Sequence, residues 1–110
     1  MFRDRVEWRR WLEENHDKET EVWLVRYKKH TGKECVGYGE SVEEAVCFGW
    51  IDGKIMSVDD EVYISRFSPR RKRSVWSDIN KARANRMIRA GRMTESGLAK
   101  IREAKRNGDW

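Results

Sequence analysis

Two cysteines, two histidines and one proline are all that 110 residues supply of these types, and each scarcity removes a class of explanation. Cys35 and Cys47 are twelve positions apart with no C-x-x-C spacing, so neither a disulfide framework nor a zinc site is expected, and both read as free thiols. His16 and His30 lie in or beside polar stretches, and no spacing ties either to Cys47. There is no glycine-rich phosphate loop, no H-E-x-x-H and no pair of metal-ligand doublets, so neither nucleotide hydrolysis nor zinc chemistry is expected. No cofactor or metal is therefore expected. No apolar run approaches the roughly 20 residues of a membrane span. The opening MFRDRVEWRR lacks the apolar core of an export signal, so the expected compartment is the cytoplasm. Without a Pro-, Gly- or Ser-rich linker, residues 1–110 read as one domain.

Against these absences stand six Trp, three Tyr and three Phe. Each can bury roughly 150–250 Å², enough for a core despite 38% hydrophobic content. Residues 4–16 predict a first helix, with Trp8, Trp11, Leu12 and Asn15 at three- and four-residue spacing and Asp4 as its cap. The run EVWLVRYKK (21–29) predicts a strand, apolar on both faces at its centre and so expected inside a sheet. His30 to Lys33 is a turn. S-V-E-E at 41–44 predicts a capping box opening a second helix that ends near Gly49-Trp50. Runs 51–57 and 62–67 predict a hairpin joined through Asp59-Asp60-Glu61. Pro69 ends it. Ser77 or Asp78 caps a third helix to about Ala90, and Thr94 a fourth to about Arg106. The order α-β-α-β-β-α-α predicts a small single α+β domain, with a short antiparallel-containing sheet of about three strands packed with about four helices.

Charge is the strongest pattern. Residues 1–65 carry ten Lys/Arg against fifteen Asp/Glu, whereas residues 66–92 carry ten Lys/Arg and only Asp78. Arg66, Arg70, Arg71, Lys72 and Arg73 fall within eight positions and are followed by Trp76. Guanidinium groups bind phosphate bidentately and an indole offers a stacking face. Arg83, Arg86 and Arg89 step by three along the third helix and extend the positive field. These nine residues are the expected binding set for an anionic partner, a nucleic acid or another phosphate or carboxylate ligand. If six to ten phosphates were contacted, affinity would fall by roughly three to five decades between about 50 and 200 mM salt. The opposing expectation is internal pairing with the acidic upstream half, with Trp76 as a core anchor under a stacked Arg73.

Chemistry has one other foothold. Trp50 and Asp52, at a helix-to-strand junction, are candidates for the wall of a small pocket, with Asp52 as a turn residue, a partner for an arginine of 66–73, or an acid/base group. Cys47, near a helix C-terminus where the dipole disfavours thiolate, reads as a small buried hydrophobe. Catalysis by a small enzyme of unknown class is the alternative reading. A protein-interaction module, with an apolar patch around Phe2 or Trp110, is a third.

Several stretches together, CFGWIDGK (47–54), RFSPRRKRSVWSDIN (66–80) and AGRMTESGLAKIREAKRNGDW (90–110), resemble the YdeI/OmpD-associated (OmdA-like) proteins. The opening MFRDRVEWRRWLEENH and the run EVWLVRYKKHTGK are similar to that family as well. The resemblance implies a role in bacteriocin protection or antimicrobial-peptide resistance, with no catalytic residue carried over. Many of those proteins continue past the equivalent of Gly108-Asp109-Trp110 into a further helical region. The reading is of a binding module rather than an enzyme.

Overall fold

A computed structural model describes residues 1–110. Four helices, α1 (Arg5–Asn15), α2 (Tyr38–Cys47), α3 (Asp78–Arg89) and α4 (Glu95–Asn107), accompany three strands, β1 (Val22–Tyr27), β2 (Trp50–Ser57) and β3 (Val62–Pro69). The fold is the expected small α+β domain, and the order of elements is as read from the sequence. The sheet runs β1-β3-β2, antiparallel throughout. β1 is thus an edge strand and not the inner strand expected. Its two apolar faces have different uses. Leu24 and Arg26 are buried, whereas Trp23, Val25 and Tyr27 lie half-exposed opposite Arg66, Ile64 and Val62 of β3.

Local chemistry sets most boundaries. Asp4 accepts from the Glu7 amide at 3.0 Å, Ser77 from Asn80 at 3.2 Å and Thr94 from Gly97 at 3.4 Å, each satisfying an N-terminal donor that the helix itself leaves free. Asp59 closes the β2–β3 connection by accepting from the Glu61 and Val62 amides, both at 2.8 Å. The capping box expected at Ser41 is absent. α2 starts one turn earlier, capped by Gly37, so Ser41 and Glu44 lie inside the helix and are fully buried. Their side chains serve distant partners instead.

The core is aromatic at the sheet. Trp8 of α1 meets Phe67 of β3 edge-on at 5.2 Å, and Trp11 meets Trp50 at 5.7 Å. α4 crosses α2 at Gly97, where an added Cβ would lie 2.5 Å from the Cys47 carbonyl oxygen. Phe2 and Trp110 are partly buried and packed against the core. Trp110 is engaged with Trp76 at 5.1 Å.

Candidate functional site

The basic segment does not act as one surface. Arg70 follows the last residue of β3, and its amide donates to the Gly49 carbonyl at 2.8 Å. Its side chain turns inward. It is 5% exposed, with its guanidinium carbon 3.9 Å from the centre of the Trp76 ring. One of its nitrogens donates to the Val75 carbonyl at 3.1 Å, and Nε and Nη1 have no partner within the protein. Burial holds its pKa below the usual guanidinium value, offset only in part by Asp52. Trp76 is 4% exposed. Both residues were expected to face a ligand, and both are internal. A guanidinium plane loses less on leaving water than an ammonium does and stacks on indole. The anchor role foreseen for Trp76 therefore holds, with Arg70 rather than Arg73 on its face.

One arginine of the α3 stripe, Arg86, and Arg92 just beyond the helix are drawn off by acids of α2. Arg86 donates to Glu43 at 2.8 Å, and Arg92 to Glu44 at 3.0 Å. Arg83 donates to the Asn80 amide oxygen at 3.0 Å and lies over Tyr38. Arg89 stays exposed and has no ion pair. The arginines expected to extend a ligand-facing field are thus partly spent on holding α3 to α2.

Four of the predicted cations do converge. Arg66, Arg71, Lys72 and Arg73 line an open cleft of about 370 Å³, with the Ser68 and Ser74 residues between them and Asp52 and Gly53 of β2 alongside. Arg66 is tied to Glu21 at 2.9 Å, and Arg73 to Asp109 at 3.0 Å. Arg73 has a left-handed backbone, φ 65°, which a non-glycine residue adopts at a cost. It turns the exposed loop that carries Arg71 and Lys72, neither of which has an ion pair.

The Trp50/Asp52 pair divides. Trp50 is a core residue, its indole N–H donating to the His16 carbonyl at 3.2 Å. It lines no cleft, contrary to expectation, because Trp11 of α1 packs edge-on against it and buries it. Asp52 borders the cleft and accepts a short hydrogen bond from the Tyr38 hydroxyl. Burial, then that bond, raises the Tyr38 pKa above the ordinary phenol value, so at neutral pH Tyr38 is a proton-bearing donor. Cys47 is buried, and burial pushes its thiol pKa up, away from a nucleophilic thiolate.

One constellation was missed by sequence reasoning. Glu44 is 0% exposed and receives Arg5 and Arg9 of α1, each at 2.8 Å, as well as Arg92. Burial alone would raise its pKa, but the bonds from Arg9, Arg5 and Arg92 outweigh burial and lower it. The available signal was the four-residue spacing of Arg5 and Arg9 on one helix face. Nothing local pointed to their acceptor, which lies 39 and 35 positions away.

Comparison with curated proteins and with solved structures gives no match. Residues 1–100 match the family model described as a domain of unknown function (DUF8412). The match spans most of the chain, and the protein belongs to that family.

Proposed function

We propose that the protein is a non-enzymatic binding module that seats an anionic, phosphate-bearing partner in the cleft formed by Arg66, Arg71, Lys72 and Arg73. The observation that carries this reading is the state of Arg71 and Lys72. They are exposed, adjacent and without a carboxylate partner, although five of the ten cations in residues 66–92 have found one. Ser68 and Ser74 add hydroxyl donors suited to phosphate oxygens. Trp76 offers no stacking face. An aromatic on the same sheet face as the cleft is Trp23, in register with Arg66. The resemblance to OmdA-like proteins gives the proposal its setting, a role in stress or antimicrobial-peptide resistance.

Four cations also revise the salt dependence. With four phosphates on a single strand the slope is about −2.8, so affinity falls roughly 50-fold between about 50 and 200 mM salt, not by several decades. The test is an NMR titration of the labelled chain with a short mixed single-stranded oligonucleotide at both salt concentrations. Shifts are expected in residues 66–74 and not along α3, and Arg71→Ala with Lys72→Ala should remove them. Binding that ignores salt, or that survives the double substitution, would refute the reading.

A further inference from the structure

A second cleft, of about 390 Å³, shares no residue with the first. Its lining residues include three cations, Arg26, Lys29 and Lys33, and no carboxylate; of its three tyrosines, Tyr38 and Tyr63 flank Arg26, whereas Tyr27 belongs to the other face of β1 and lies under Lys33. Its volume lies in the range of about 300–1,000 Å³ typical of small-molecule sites.

The cationic wall is organised before any ligand arrives. Arg26 is buried, and its guanidinium carbon lies 5.1 Å from the ring centres of both Tyr38 and Tyr63. Its nitrogens donate to the Ser41 hydroxyl at 3.0 Å and the Tyr63 hydroxyl at 2.6 Å. A charge fixed in this way contributes a field without the entropy of immobilising a long side chain. Lys29 and Lys33 bracket a 3-10 turn that ends at Gly32, φ 67°. Lys29 has no ion pair. Lys33 lies 5.1 Å over Tyr27, and its only carboxylate contact is an exposed one with Glu61 at 3.7 Å, a pair worth little in water.

We propose that this cleft binds a small molecule carrying one anionic group on a planar apolar body. The anion would meet Lys29 and Lys33 in the field of Arg26, and the body would lie against the tyrosine rings. Neither the family match nor the oligonucleotide reading assigns this site, and the inference stands independently of both.

The test uses the full chain, isotopically labelled, and three probes at millimolar concentration: benzoate, phenyl phosphate and the neutral benzyl alcohol. Saturable shifts at Tyr27, residues 32–38 and Tyr63 are expected with one or both anions, and little with the alcohol. Preference between the two anions tells a carboxylate site from a phosphate site. Removing both exposed lysines, Lys29→Ala with Lys33→Ala, should weaken binding roughly fivefold or more, as two screened ion contacts would. The Arg71→Ala, Lys72→Ala protein should bind the probes unchanged. Absence of saturable shifts, equal binding of benzyl alcohol, indifference to the lysine substitutions, or loss on changing Arg71 and Lys72 would each overturn the proposal.

Discussion

Replacing Glu44 by glutamine keeps the side chain's size and removes one charge from the middle of three arginines. Glu44 is fully buried, whereas the side chains of Arg5, Arg9 and Arg92 are 28%, 19% and 39% exposed. Breaking a buried ion pair by deleting one partner costs about 3–5 kcal/mol. The arginines retain some water, Arg92 most, which moves the expectation to the lower end, about 3 kcal/mol. For a domain of this size that corresponds to a fall in Tm of about 10–20 °C. Urea unfolding at pH 7 should therefore show a clear drop in midpoint with unchanged m-value. The pH dependence has a definite sign. The folded-state pKa of Glu44 lies below its ordinary value. Its charge thus stabilises fully above the unfolded carboxylate pKa of about 4.3, and the benefit is lost as pH falls through the lower folded value. The gap between the natural chain and Glu44→Gln should be constant from pH 7 to about 5 and close in stronger acid. A gap under about 1 kcal/mol at pH 7, or one that persists unchanged into acid, would refute the argument that this glutamate holds α1, α2 and the α3–α4 connection together.

Three further outcomes follow from the same physical chemistry. Arg70→Met should leave stability within about 1 kcal/mol of the original or raise it, since a buried guanidinium with two unpartnered nitrogens is exchanged for an apolar chain; urea unfolding checks this, and a loss of several kcal/mol would mean that the stack on Trp76 dominates. Gly97→Ala should destabilise by about 1–3 kcal/mol, because its Cβ would meet the Cys47 and Val46 carbonyl oxygens at 2.5 and 2.8 Å. Gly39→Ala, with nothing within 4 Å, should instead gain about 0.5–1 kcal/mol in the helix, and thermal melts of the two variants should move in opposite directions. Asp52→Asn should let Tyr38 ionise at lower pH than in the natural chain, since the carboxylate that helps raise its pKa is gone; tyrosinate absorbance against pH reads this, and an unchanged titration would show that burial alone sets the value.

What the sequence made legible was local. The starts of α1, α3 and α4 are marked by Asp4, Ser77 and Thr94, whose side chains act three residues away, and such short-range bonds are written in the order of residues. The hairpin was legible for the same reason, through Asp59. The start of α2 is not legible because its cap, Gly37, has no side chain to signal with. Ser41 and Glu44 imitate a capping box while serving Arg26, Arg5, Arg9 and Arg92 at long range. The edge position of β1 was not legible, because periodicity reports which residues are apolar, not which neighbours a strand has. At the site, Arg70 to Arg73 looked like one cationic unit, yet the backbone sends Arg70 into the core, leaves Arg71 and Lys72 in water and turns at Arg73. A run of like residues carries no record of where each points.

The charge polarity of the chain can now be apportioned. Five of the ten cations in residues 66–92 have carboxylate partners, and their distribution is not random. Arg86 of α3 and Arg92, just past its end, pair with Glu43 and Glu44 of α2, so this part of the positive charge is architecture. Arg70 is buried and Arg83 is held by Asn80 and Tyr38. The free charge is then concentrated at Arg71 and Lys72, with Arg89 isolated on α3. Two adjacent like charges repel by about 1 kcal/mol at 4 Å in water, less in salt. A loop has the freedom to relieve that repulsion by turning one of them toward a carboxylate, as Arg73 does toward Asp109. That Arg71 and Lys72 remain unpaired beside Ser68 and Ser74, along the same cleft, is the observation on which the proposed anion site rests.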